Sequence, residues 1–181
     1  VAKFLPVAGT VEGFLYPDTY YFSVEDSTEG IILTMLRRFD EVYRSRLPEV
    51  SPMELNKVVI VASIVEKEAR EAVERPVIAG VFYNRMRRGY PLQSCATVQY
   101  ALGKHKGRLF YQDLQVDSLY NTYRYRGLPP GPIANPGLAS LKAAAHPAKV
   151  SFLYFVAKPD GYHIFSDTFA RHIQAQREIN N

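Results

Sequence analysis

The stretch VVIVASIVEKEAR, residues Val58–Arg70, decides the fold. It opens as an unbroken apolar run and closes on Glu66, Lys67 and Glu68, so a helix carrying it is buried along most of its length and charged only at its C-terminal end. Its start is marked by Ser51-Pro52-Met53-Glu54: an N-cap serine, a first-turn proline and a glutamate placed to complete a capping box. This predicts a helix from about Pro52 to about Arg70. Steps of three and four put Val59, Ala62, Glu66 and Ala69 on one stripe. A carboxylate on a stripe of Val and Ala is partly withdrawn from water, which favours the neutral acid, and a neutral acid near pH 7 is a proton donor. The alternative is a glutamate at the end of a core helix, held by Lys67 or Arg70 and chemically idle.

Working outward, Asp26-Ser27-Thr28-Glu29 is a second capping-box pattern. It opens an amphipathic helix over about 28–47 that points Ile31, Ile32, Met35, Phe39, Val42 and Tyr43 at the core, and Pro48 ends it. Before it, Val11–Ser23 reads as two short strands around a Pro17-Asp18 turn. Downstream, Glu74–Arg88 reads as a helix with Pro76 in its first turn and Gly89 as its stop, Asn84 and Arg85 being surface residues or the anchors of a neighbouring loop. GYPLQSCAT (89–97) is a loop, followed by a short helix. Tyr120–Gly137, carrying Pro129, Pro130, Pro132 and Pro136, is a loop long enough to suggest function. Asn135-Pro136 reads as the start of a helix to Ala145. Residues 151–157 and 162–165 flank Pro159-Asp160-Gly161 and form a hairpin. Ser166 or Asp167 caps a last amphipathic helix. The expectation is one α+β domain, 1–181: mostly helical around a central buried helix, with a small antiparallel sheet that includes the C-terminal hairpin.

The composition narrows the function. The chain has 181 residues, 47% of them hydrophobic, enough for a real core. Thirteen Tyr and ten Phe with no Trp suit either core edges or a polar groove with aromatic walls. Net charge is 22 − 18 = +4, concentrated only at 85–89 and at Arg124 and Arg126. No nucleic-acid module accompanies these residues, and a polyanionic or carboxylate-bearing polymer fits the charge equally well; a nucleic-acid partner is set aside because the basic residues do not interleave with aromatics along one face. A single cysteine, Cys95, excludes an intrachain disulfide framework and a Cys-rich zinc site. His105, His146, His163 and His172 lack the spacing of a helical zinc pair. No metal or organic cofactor is expected, and no membrane span or signal peptide is read in the sequence.

Six motifs stand in a fixed order: VEGFLYPDTYYF, VASIVEKEAR, VFYNRMRRGYPLQS, TVQYAL, YNTYRYRGLPPGPIANPG and DGYHIFSDTFARH. Together, over roughly residues 10–172, they resemble the catalytic domain of the endolytic murein transglycosylases, the MltG or YceG-like family. The resemblance implies a lytic cut of peptidoglycan glycan strands between N-acetylmuramic acid and N-acetylglucosamine, leaving a 1,6-anhydro-muramic end. It implies a catalytic glutamate in the ASIVEKE motif, matched here by Glu66, with Glu68 the second candidate. It also implies an N-terminal membrane anchor and a small LysM-like domain upstream of Val1. The bacterial cytoplasmic membrane would then be the location, with this domain on its periplasmic or extracellular side and cell-wall synthases as candidate partners. In one place the chain departs from the pattern: Cys95-Ala96 stands where relatives often have Asp-Pro. If that Asp touches substrate or orients the catalytic glutamate, this chain needs a substitute or has reduced activity; the alternative is that Cys95 is simply a small buried residue.

The chemistry fits one carboxyl group. Glycosidases that use water pair two carboxylates; a lytic enzyme needs one, which protonates the bridging oxygen and then takes the proton from the sugar's own 6-hydroxyl. Intramolecular attack reaches effective molarities of about 10⁵ M or more. Donors near the anomeric centre steady the developing charge. Gln93, Ser94, Asn121 and Tyr123 are the candidates for substrate contact, with Glu12 and Tyr20 behind them. The competing reading is a non-catalytic peptidoglycan-binding or scaffold domain of the cell-wall synthesis machinery.

Overall fold

A computed structural model describes residues 10–104 and 106–180; His105 lies outside the described residues. The element order is α1 (Thr28–Arg46), α2 (Pro52–Glu68), a 3₁₀ turn (Ala72–Glu74), α3 (Arg75–Arg87), α4 (Cys95–Ala101), a second 3₁₀ turn (Asp113–Gln115), α5 (Leu138–Ala145), β1 (Tyr154–Ala157), β2 (His163–Ser166) and α6 (Phe169–Asn180). The fold is α+β, with helices gathered on α2 and a two-stranded antiparallel sheet.

Helix α2 is the centre. Leu55 and every residue from Val58 to Val65 are buried, so it shows no polar face over that span and packs against α3, α4 and α5. Ser63, fully buried, donates its hydroxyl to Ile60 O at 2.7 Å and accepts the Ile133 amide at 3.0 Å. That satisfies the one polar group in the run and pins the 120–137 loop to the helix. Pro52 occupies the first turn. The capping box does not form: the Ser51 hydroxyl donates to the Glu54 carboxylate at 2.7 Å, and no side chain caps the helix. In α1 the cap is Ser27, which accepts the Gly30 amide at 3.1 Å; that puts glycine, not Glu29, at the position a box requires. Leu36 joins Phe39, Val42 and Tyr43 in the core, while Ile31, Ile32 and Met35 are half-buried.

Residues 11–23 form no strands, against the two the sequence suggested. Gly13 and Leu15 donate their amides to Asn135 Oδ1 at 2.7 and 3.2 Å, and Phe14 packs edge-on against Phe39 at 5.0 Å. Asn135 is committed there, so α5 begins at Leu138 with Gly137 as its cap residue, two residues after the sequence-based start. The hairpin pairs Tyr154 with Ser166 and Ala157 with His163. Its turn uses Gly161 at φ +93 and closes with Lys158 N–H on Tyr162 O at 2.7 Å. α6 packs on both strands; its first turn is capped by Thr168, whose Oγ1 accepts the Arg171 amide at 3.3 Å, in place of Ser166 or Asp167.

Candidate active site

Helix α2 ends at Glu68, two residues before the sequence-based boundary. Ala69 turns to extended backbone (φ −82, ψ 119) while its amide still reaches Val65 O at 2.9 Å. Glu68 is therefore the last helical residue, projecting where the chain leaves the core. Its Oε1 accepts two donors from the start of α4: the Ser94 hydroxyl, and the Ala96 amide at 3.3 Å. Among the described residues Oε2 has no hydrogen-bond partner.

The loop that supplies Ser94 is itself fixed. Ser94 is buried, and its amide donates to Thr122 Oγ1 at 3.1 Å. The Gln93 amide donates to Thr122 O at 3.1 Å, and Thr97 Oγ1 lies 2.8 Å from Thr122 Oγ1. Asn121, fully buried, donates to Leu114 O and Val116 O at 2.9 and 2.8 Å and accepts the Tyr123 amide at 3.0 Å. Both ends of that amide are spent on loop backbone. Gln93 has φ +52, left-handed backbone that costs a non-glycine residue about 1–2 kcal/mol. Arg85, on α3, compensates by donating to the Gln93 amide oxygen.

Two grooves meet at this carboxylate, with Glu68 and Cys95 in the walls of both. One, of about 790 Å³, is lined by Lys67, Gln99, Tyr100, Lys104 and Ile133 among others. The other, of about 440 Å³, has Arg85, Gln93, Tyr123, Tyr154, His163 and His172 in its wall. Arg85 is buried. It donates to Pro91 O at 2.8 Å and Leu153 O at 3.0 Å and lies over the Tyr154 ring at 5.4 Å. Burial lowers its pKa from the usual arginine range. Tyr123 Oη and Cys95 Sγ are 3.2 Å apart. Burial holds the Tyr123 phenol far above its ordinary pKa. The surrounding protein also pushes the Cys95 thiol up, although the residue is exposed at the groove mouth, so Cys95 is not the small buried residue the sequence allowed. His163 Nδ1 meets Glu74 Oε2 at 2.7 Å, and the His163 amide donates to Glu74 Oε1 at 3.0 Å, which locks the hairpin to the end of the 3₁₀ turn. His172 stacks on Tyr154 at 5.3 Å, and burial depresses its pKa.

The structure brings Gln93, Ser94 and Tyr123 to Glu68. Asn121 is near in the chain but turned inward as a loop organiser. Glu12 stands behind the larger groove, accepting the Tyr100 hydroxyl. Tyr20 lies elsewhere, stacked on Phe22 at 5.7 Å with its hydroxyl on Tyr16 O. Glu66 is in the wall of neither groove. Its side chain is 30% exposed, its Oε2 accepts the Gly137 amide at 3.1 Å, and Arg75 Nη2, rather than Lys67 or Arg70, stands 3.9 Å from Oε1. Arg75 is in turn held by Ser140 Oγ at 3.1 Å. Tyr154 and His172 are wall residues that sequence reasoning did not single out; the aromatic content of the hairpin was the signal for Tyr154, and His172 stands on α6, at the end of the DGYHIFSDTFARH motif. Among the described residues no cluster of His, Cys, Asp or Glu could hold a metal ion, and no helix is long and apolar enough to cross a membrane.

Comparison with known proteins gives one answer. The model of the YceG-like family matches residues 2–178. An endolytic murein transglycosylase of Bacillus subtilis is 45% identical over 172 residues, covering 93% of this chain and 48% of that protein. One of Streptococcus pneumoniae is 37% identical over 155 residues, covering 81% of this chain and 28% of that protein. A 2.6 Å crystal structure of a yceG-like protein from Listeria monocytogenes superposes with a TM-score of 0.85 at 45% identity, over 91% of this chain and 55% of that one. The chain thus spans about half the length, or less, of the curated relatives it matches.

Proposed function

The chain belongs to the YceG-like family, and from that premise we propose that it is the catalytic part of an endolytic murein transglycosylase with Glu68 as its single general acid/base. The observation that carries the reading is the place of Glu68, in the wall of both grooves and oriented through Oε1 by Ser94 and Ala96. A glycan strand laid through both grooves brings one glycosidic oxygen to that carboxyl. Oε1 is fixed, and Oε2 is the oxygen that exchanges the proton. It protonates the oxygen between N-acetylmuramic acid and N-acetylglucosamine as the C–O bond breaks. The carboxylate then takes the proton of the muramoyl 6-hydroxyl as that oxygen closes on C1. The products are a 1,6-anhydro-muramoyl end and a free N-acetylglucosamine 4-hydroxyl, with no water consumed. Gln93 and Tyr123 are the polar groups at hand to steady the charged sugar. Ser94 is a positioning residue.

Sequence pattern favours Glu66; geometry favours Glu68, because Glu66 is occupied in tying α2 to the start of α5 through Gly137 and Arg75. On the same reading a membrane anchor and a LysM-like domain precede this stretch in the full-length protein. They hold it on the outer side of the bacterial cytoplasmic membrane, within reach of cell-wall synthases.

The test is digestion of purified murein by wild type, Glu68→Gln and Glu66→Gln, read by mass spectrometry of muropeptides. Anhydro ends from wild type, about 10³-fold fewer from Glu68→Gln and a substantial yield from Glu66→Gln are expected. Loss confined to Glu66→Gln moves the role back two residues. Strand binding by wild type without anhydro ends assigns a scaffold role instead.

A further inference from the structure

The two grooves differ in what they offer a ligand. In the larger, Lys67 and Lys104 are exposed and neither forms an ion pair among the described residues. Lys106 nearby is different: it is paired with Asp113, whose charge Lys104 feels only at longer range. Glu68 is the one carboxylate in that wall. The other polar groups there are already engaged. Gln99 donates to Lys106 O at 2.7 Å and accepts the Lys106 amide at 2.8 Å, and Tyr100 gives its hydroxyl to Glu12. What remains free is a pair of ammonium groups over an apolar floor that includes Ala96 and Ile133. The smaller groove is the reverse: Tyr123, Tyr154, Phe155 and Phe169 present rings, and its cation, Arg85, is buried and committed to backbone and to Gln93. Ring faces suit the apolar faces of pyranoses, whereas unpaired ammonium groups suit carboxylates.

We infer that the larger groove is a binding site for the anionic substituent of the muramoyl unit, a carboxylate-bearing peptide stem held by Lys67 and Lys104, while the ring-walled groove carries the bare sugar path. This rests on the glycan-strand reading above and gives the strand a direction across Glu68: the stem-bearing sugar on the lysine side, the departing sugar on the aromatic side. Exposed charge pairs are individually weak, so two of them make a preference rather than an absolute requirement.

The experiment measures equilibrium binding of three soluble murein fragments to the Glu68→Gln chain, which keeps them uncut: a tetrasaccharide with peptide stems, the same tetrasaccharide stripped of stems by an amidase and then amidated at the lactyl carboxyl groups this exposes, and the stem-bearing form with its carboxyl groups amidated. The intact fragment is expected to bind about three- to tenfold tighter than either of the others. The advantage is expected to vanish in the added double substitution Lys67→Gln/Lys104→Gln and to shrink at about 0.5 M salt. Equal affinity for stem-bearing and stripped fragments overturns the inference, as does an advantage that survives the double substitution. Failure of the catalytic reading shows itself separately, as absence of anhydro ends with wild type, and leaves the binding comparison intact.

Discussion

The hydroxyl of Ser94 donates to Oε1 of Glu68, joining residues 26 positions apart in sequence. The bond ties the end of the central helix to a loop that has almost no freedom of its own, since Ser94 is also held by Thr122. In the role proposed for Glu68, a carboxyl group acting on a glycosidic oxygen needs a fixed orientation more than it needs a partner, and this bond would supply it. Removing a hydrogen bond to a charged group costs about 1.5–3 kcal/mol. Ser94→Ala should therefore lower kcat on murein about tenfold or more with KM changed by less than about twofold, and Ser94→Thr should restore part of it. A loss carried by KM instead would mean that Ser94 touches the strand directly.

Gly13 sits under the proline-rich loop with φ +87, and a Cβ there would meet Pro132 Cγ at 2.4 Å and Val59 Cγ1 at 2.9 Å. Neither neighbour can give way: Pro132 is a ring in a pinned loop, and Val59 is in the core of α2. Backbone strain of about 1–2 kcal/mol adds to overpacking of about 1–3 kcal/mol. Gly13→Ala should lower Tm by roughly 4–20 °C for a domain of this size, measured by calorimetry. An unchanged Tm would show that residues 10–16 do not dock on the loop.

How much of this was open to reading from the chain differs element by element. Helix α2 was legible because its apolar run is too long to be anything but buried and Pro52 marks its start. The hairpin was legible because a Pro-Asp-Gly turn separates two aromatic runs. The choice between Glu66 and Glu68 was not legible. Helical stripes rank Glu66 higher; the role proposed for Glu68 rests on the helix stopping there and on Ser94 and Ala96 arriving from a distant loop. Asn121 and Asn135 looked like a sugar contact and a helix cap; backbone groups claimed both side chains, Leu114 O within the same stretch of loop and Gly13 N from far along the chain. The grooves themselves arise where α2, the 89–94 loop, the 120–137 loop and the hairpin converge, and no local pattern encodes that convergence.

His172 gives the fold an acid-side dependence. Burial depresses its pKa, with Arg85 adding to the effect, and its Nδ1 is buried without a hydrogen-bond partner. The unfolded chain takes up a proton at an ordinary histidine pKa of about 6.5, which the native chain resists until lower pH. The unfolded state then binds more protons, so the stability this neutral ring supplies is present above about pH 6.5 and falls as pH drops toward the depressed value. His172→Phe keeps the stacking on Tyr154 and removes the titration. Urea midpoints between about pH 7 and 5 should decline less in the variant than in wild type; parallel declines would place the acid sensitivity elsewhere.

Cys95 lies where the two grooves join, exposed, with its thiol 3.2 Å from the Tyr123 hydroxyl and close enough to Glu68 to feel its charge. Because the surrounding protein raises the thiol's pKa and the thiolate is the nucleophile, alkylation by iodoacetamide should be slower at about pH 7.5 than for free cysteine and should accelerate as pH rises past the ordinary cysteine value of about 8.5. The adduct would occupy the space a strand needs beside Glu68, so anhydro-muropeptide release should fall in step with labelling. Cys95→Ala should keep its activity under the same treatment. Full activity at complete labelling of Cys95 would show that the strand does not pass through this junction, and the two grooves would then have to be read as separate sites.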